Sequence, residues 1–254
     1  MEGKIRTSFS KVLGRDMTYK TFGKRGGRLC IAFAPQNGRY FDFENFGMVD
    51  TIMPYIESGK IYLVLADSLD EISWSSKTLD GATRANNQEK WYHYIVDELY
   101  PAAKRQCGNK ERAIAIGCSM GGYHAGNFFF RRPDKFGAMV SLSGTFNSNL
   151  FFGSYMDSTL YDNCPAAFLR NMPLDHPWIE LYKNSDIITC CGQGAWEEDL
   201  LRGTRELDEI LGKMGIPHFS DYWGYDVNHD WPWWRKQLPY FFDKFIIKSS
   251  NQLM

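Results

Sequence analysis

Apolar runs alternate with segments of helical period along the 254-residue chain, the pattern of a mostly parallel sheet with helices on both faces. Residues 28–35 (RLCIAFAP) and 61–66 (IYLVLA) are short apolar runs bounded by Gly, Lys and Asp. They read as buried strands, with a helix at 47–58 between them. Residues 86–106 open on an Asn pair and continue with apolar positions at helical spacing, and Pro101 predicts a kink or break near their end. A strand at 112–117 runs straight into CSMGG, and the helix that begins at Gly121 extends to about residue 131, where Arg132 and Pro133 stop it.

A further strand is predicted at 138–143. Residues 144–184, rich in Asn, Pro, Phe and Tyr, then break the alternation and predict an insert above the sheet that shapes a pocket. Order returns with a strand at 186–191, a helix at 199–214, a short strand at 218–222 and a closing helix at 231–247. No internal repeat interrupts the series, so one α/β domain over 1–254 is expected, within the size at which a single core still grows.

Composition narrows the function classes. The net charge of −1 and the lack of any long Lys or Arg run leave no electrostatic footprint for nucleic acid. Nowhere do about 18 apolar residues run together, and the first twenty residues lack the apolar stretch of a signal peptide, so no membrane partner is expected and no export signal is visible, though a removed one would leave the same sequence. Cys30, Cys107, Cys118, Cys164, Cys190 and Cys191 form no CxxC pair and no zinc spacing; they read as reduced, buried thiols in a cytoplasmic protein. The aromatic fraction of 16% is high, which suits either a Trp-rich core or a cleft for rings or sugars.

The chemistry concentrates at Gly117-Cys118-Ser119-Met120-Gly121, a G-x-S-x-G between a predicted strand and a predicted helix. A nucleophile on so tight a turn sits in strained backbone, and only small neighbours fit beside it. The same turn aims the Met120 N–H at an oxyanion forming beside Ser119 Oγ. A serine hydroxyl needs a base, and of the five histidines His229 lies in the loop between the last strand and the last helix, where the chain order nucleophile, acid, base requires it. The acid is expected after the strand at 186–191, where Glu197, Glu198 and Asp199 are adjacent and spacing does not separate them.

Residues 118–122 (CSMGG) and 229–234 (HDWPWW) resemble the putative esterase family of α/β-hydrolases. That family includes feruloyl esterases, S-formylglutathione hydrolase (esterase D) and mycobacterial mycolyltransferases, and the resemblance runs from about residue 29 to 245. It implies an α/β-hydrolase fold over the whole domain. Residues 191–198 (CGQGAWEE) are similar to a C-G-x-G-x-x-x-E segment of the mycolyltransferase branch, which implies Glu198 as the acid. The loop at 34–39 (APQNGR) stands where the family places its second oxyanion donor, implying the Arg39 N–H beside that of Met120; relatives carry an Asp-Gly or His-Gly pair there. Residues 73–76 (SWSS) resemble an aromatic-serine segment along one wall of the site, so Trp74, with Trp231 next to the base, is expected to touch substrate.

These pieces predict a serine esterase acting on a small-molecule or carbohydrate ester, with acetyl or feruloyl esters of carbohydrates as the expected class. The mechanism calls for no metal and no cofactor. An acyltransferase that passes the acyl group to an alcohol would use the same residues, and a non-catalytic binding protein could keep the same fold.

Overall fold

The computed structural model describes residues 1–247. The central strands are β3 (Arg28–Phe33), β4 (Ile61–Ala66), β5 (Ala113–Cys118), β6 (Phe136–Leu142) and β7 (Asp186–Cys191), and nearly every residue in them is buried. Alternate side chains enter two separate cores, as a pleat covered on both faces requires. Leu29, Ile31 and Phe33 join one core with Tyr62, Val64 and Ala115, while Cys30, Ala32, Leu63 and Ile116 join the other.

Before β3 lie β1 (Lys4–Ser10) and β2 (Arg15–Phe22), a hairpin that the apolar-run reading missed. Its signal is the period-two burial of Met17, Tyr19 and Thr21, weak because β1 is largely exposed. Helices α1 (Asp42–Asn45) and α2 (Met48–Glu57) precede β4. Helix α3 (Gly81–His93) starts five residues before the expected Asn pair, because Asp80 caps it by accepting the Thr83 N–H at 2.9 Å. Pro101 does not break the chain. A π-helical stretch at Tyr94–Leu99 joins α3 to α4 (Tyr100–Cys107) without interruption, and the proline lies at the start of α4, directly after those wider turns.

Helix α5 (Met120–Arg131) is buried from Met120 to Phe130. Its Phe128 stacks on Phe33 at 4.8 Å and on Tyr92 at 5.5 Å, and one such fully buried ring contributes about 2 kcal/mol. Residues 144–184 hold the short helices α6 (Asn149–Phe152), α7 (Ser158–Asp162), α8 (Pro165–Arg170) and α9 (Trp178–Lys183). Phe146, Ala166, Leu169 and Tyr182 from this stretch enter the core that also holds α5. After β7 come α10 (Glu198–Lys213), β8 (Phe219–Tyr222) and α11 (Trp231–Phe241), which leads into a π-helical turn at Phe242–Ile246.

The sheet order is β1-β2-β4-β3-β5-β6-β7-β8. Pairing is parallel from β4 to β8, while β1 with β2 and β2 with β4 are antiparallel, so the mostly parallel sheet expected from the sequence is present. Phe33 faces Gly117, Cys118 faces Leu142, and Leu142 faces Cys190. The carboxyl ends of β3, β5, β6 and β7 therefore lie side by side, and their following loops open on one edge, where ligands of open α/β sheets bind.

Candidate active site

Ser119 occupies the single position between β5 and α5, with φ 59° and ψ −125°. That region costs a non-glycine residue on the order of 1–3 kcal/mol, so the surroundings must over-determine it. They do: the Ser119 N–H donates to Leu142 O at 2.8 Å, and its carbonyl accepts the Gly122 N–H at 2.9 Å. Gly121 lies so close to the end of β3 that a Cβ there would sit 2.0 Å from Phe33 O and 2.5 Å from Ala34 O. Any side chain at that position would push α5 off the sheet.

The half-buried Ser119 hydroxyl donates to His229 Nε2 at 2.8 Å. On the other side of the ring, His229 Nδ1 lies 3.0 Å from Glu197 Oε2, which fixes the tautomer protonated on Nδ1. Glu197 is fully buried. Its Oε1 accepts the Ser143 hydroxyl at 2.6 Å, and the Cys191 thiol lies 3.4 Å from Oε2. Ser143 in turn accepts the indole N–H of Trp234 at 3.1 Å, and the same indole packs edge-on against the His229 ring at 4.9 Å.

Two loops carry His229 and Glu197, and they are zipped together. The His229 N–H donates to Ala195 O at 3.0 Å, the Ala195 N–H to Asn228 Oδ1 at 2.8 Å, and the Gly194 N–H to Val227 O at 2.9 Å. A Cβ on Gly192 would meet Val227 O at 2.2 Å, so that close approach requires glycine. Burial pushes the Cys118 and Cys191 thiols well up from their ordinary value, and the Glu197 carboxylate adds to the effect at Cys191. Buried thiols of this kind stay protonated near neutral pH and are poor nucleophiles. Among the described residues no group of three His, Cys, Asp or Glu side chains is arranged to hold a metal ion.

The family described as Putative esterase matches residues 14–244. The chain belongs to the putative esterase family. The resemblance carried by 118–122 and 229–234 is thereby borne out, and with it the assignment of the chain as an esterase-type enzyme. Solved structures similar to this esterase include a ferulic acid esterase, with 18% identity, a TM-score of 0.71 and coverage of 94% of this chain and 97% of that one. The S-formylglutathione hydrolase of Staphylococcus aureus shares 14% identity at a TM-score of 0.69, covering 94% and 96%. MPT51 of Mycobacterium tuberculosis shares 15% at 0.71, covering 95% and 96%. At such identities the likeness is one of fold, here the α/β-hydrolase fold. No curated protein matches the sequence.

The structure brings together Ser119, Met120 and His229 of this esterase and alters four other expectations. Glu198, expected beside the base, is exposed in the first turn of α10; the carboxylate against His229 belongs to Glu197. Trp196, in the left-handed region at φ 68°, turns the chain so that Glu197 enters the core and Glu198 leaves it. The Arg39 N–H is already engaged by Asp42 Oδ2 at 2.7 Å, and its guanidinium grips Asp67 at 2.7 and 3.0 Å. Trp74 is 1% exposed beneath Tyr123, Phe151 and Phe152, with no ring face left for substrate; Ser75 is the residue of its segment that reaches Met120 Sδ, at 4.0 Å. Trp231 stacks on Phe46 at 4.5 Å and meets Trp234 edge-on, so it packs α11 onto the loop before α2. Ser143 and Trp234, which hold Glu197 and pack on His229, carry no mark in the sequence; the positive φ of 53° at Ser143 is a backbone property.

Proposed function

We propose that the protein hydrolyses carboxylic esters through an acyl-enzyme on Ser119, with His229 as base and Glu197 as the orienting carboxylate. The observation that carries this is the continuous chain from Ser119 Oγ to His229 Nε2 at 2.8 Å and from Nδ1 to Glu197 at 3.0 Å. His229 takes the hydroxyl proton as Ser119 Oγ attacks the ester carbonyl. The tetrahedral oxyanion is held by the Met120 N–H at the start of α5, and such a donor is worth about 3 kcal/mol. Gln36, whose N–H has no acceptor among the described residues, replaces Arg39 as the second donor. Collapse expels the alkoxide with the proton from His229. Water, deprotonated by the same imidazole, then attacks the acyl-enzyme and releases the acid and free Ser119.

Acetyl or feruloyl esters of carbohydrates are the proposed substrate class, in keeping with the similarity to a ferulic acid esterase. Trp196, 87% exposed, adjoins Glu197, and Tyr225, 82% exposed, lies on the loop that carries His229; both offer ring faces to a sugar or an aromatic acyl group. The same reading treats the chain as one domain with residues 144–184 as an insert bordering the site. Its buried free cysteines suit a cytoplasmic setting, and among the described residues no helix is long and apolar enough to cross a membrane.

The test compares parent and Ser119→Ala on p-nitrophenyl acetate, methyl ferulate and an acetylated sugar. Ser119→Ala should lose at least about a thousandfold in kcat with an unchanged circular dichroism spectrum. Undiminished turnover in that variant would end the proposal. A parent protein that fails to react with a fluorophosphonate at Ser119 would favour a non-catalytic role.

A further inference from the structure

We propose that His124 and Asp70 are a positioning pair that locks the loop at 35–39 against the nucleophile turn; the inference rests on Ser119 being the nucleophile. His124 lies in α5 five residues after Ser119, and its Nε2 is 2.9 Å from Asp70 Oδ1. Both side chains are 1% exposed. The His124 ring is boxed by Trp91 at 4.6 Å, Tyr123 at 4.9 Å and Phe33 at 6.3 Å, and its Nδ1 has no partner among the described residues.

The other carboxylate oxygen of Asp70 points the pair at the site. Oδ2 accepts the backbone N–H of Asn37 at 3.1 Å, and Asn37 turns the loop at φ 58°, a left-handed conformation that asparagine tolerates. The main-chain carbonyl of Asp70 also accepts the N–H groups of Ser73 at 3.0 Å and Ser75 at 2.8 Å, and Ser75 touches Met120. One residue thus ties the loop after β3 and the 73–76 wall to α5, the helix that begins at the nucleophile. A buried carboxylate is costly unless paired, and an apolar residue would fill the same space more cheaply. Here the His–Asp pair adds what an apolar residue lacks, a fixed acceptor for the donor loop. Because His124 stands on α5, the helix that starts directly after Ser119, the Asp70 contact ties the loop to the element that carries the nucleophile turn. With Asn37, Gly38, Arg39 and Tyr40 all holding acceptors, the Gln36 N–H is left for the substrate oxyanion.

The test uses the full chain and the variants Asp70→Asn, His124→Leu and His124→Gln. Asp70→Asn and His124→Leu should lower kcat on p-nitrophenyl acetate by about tenfold to a hundredfold, with KM within about threefold. His124→Gln, which keeps an N–H for Asp70, should recover most of that loss. Amide exchange at Asn37 should accelerate at least about tenfold in the first two variants while β5 stays protected. A folded His124→Leu enzyme with kcat within twofold of the parent overturns the proposal, as does unchanged Asn37 protection. If His124→Leu does not fold, the nearly isosteric Asp70→Asn carries the same comparison. A parent protein inert toward esters would sink the triad reading alone, and exchange at Asn37 would still decide whether the pair holds the loop.

Discussion

His229 Nδ1 meets the buried carboxylate of Glu197 at 3.0 Å, although Glu198 is the residue whose place in the CGQGAWEE segment matches the family pattern. Their environments are opposite, one inside the core and one in the exposed first turn of α10. Glu197→Gln should lower kcat by about a hundredfold to ten-thousandfold, since an amide neither fixes the ring tautomer nor stabilises the imidazolium. Glu198→Gln should turn over at nearly the parental rate. Steady-state kinetics on p-nitrophenyl acetate distinguish the two, and the reverse pattern would restore Glu198.

Much of the architecture was legible because the central strands are continuous apolar runs; 61–66 and 186–191 match β4 and β7 end to end. Ser119 and His229 were legible too, since a strand-to-helix turn and a loop before the last helix are local patterns. What escaped depended on backbone dihedrals or distant packing. Glu197 displaces Glu198 through one left-handed residue, Trp196, and no residue count reveals such a turn. Trp74 was expected on the surface of the site, but residues 151 and 152, remote in sequence, cover it. The Arg39 N–H is taken by the side chain of Asp42, three residues away.

Ser143 donates to Glu197 at 2.6 Å and accepts from Trp234 at 3.1 Å while held at φ 53°. Ser143→Ala leaves the buried Trp234 N–H without an acceptor and Glu197 short of a donor, at a cost of about 1–3 kcal/mol. It should also lower kcat on the order of tenfold, because Glu197 and the Trp234 ring against His229 lose their common tether. Ser143→Gly removes the same hydroxyl but relaxes the backbone, so it should regain about 1 kcal/mol of stability without regaining kcat. Urea titration and kcat, measured on both variants, separate strain from orientation; parental turnover in both would remove Ser143 from the machinery.

Burial raises the thiols of Cys30, Cys118, Cys190 and Cys191 above their ordinary value of 9.0, and raises the Tyr100 phenol to about 12. The folded protein therefore keeps protons that the unfolded chain releases. This contribution is complete below the unfolded values and is lost as pH climbs past about 9 toward the folded ones, by about 1.4 kcal/mol per pH unit for each such group. The urea midpoint should be flat from pH 7 to about 8.5 and fall above 9. At pH 8 a thiol reagent should label no cysteine in the folded state and all six in urea. Ready labelling of the native protein would contradict the burial on which this rests.

Trp196 combines an 87% exposed indole with a left-handed backbone, one residue before Glu197. Folding gains little from so exposed a ring, while its backbone costs about 1 kcal/mol relative to glycine. A side chain kept at that cost beside the carboxylate is expected to meet a ligand. Trp196→Gly should therefore leave stability within about 1 kcal/mol of the parent, the relieved strain offsetting the added freedom of the unfolded chain. It should raise KM for methyl ferulate or an acetylated sugar several-fold while leaving KM for ethyl acetate unchanged, because the small ester offers no ring to stack. kcat should stay within about twofold on all three, since Glu197 keeps its bonds to Ser143 and His229. Equal KM changes for large and small esters would instead mean that the substitution disturbs Glu197 itself, and no change in any would remove Trp196 from the substrate-facing wall.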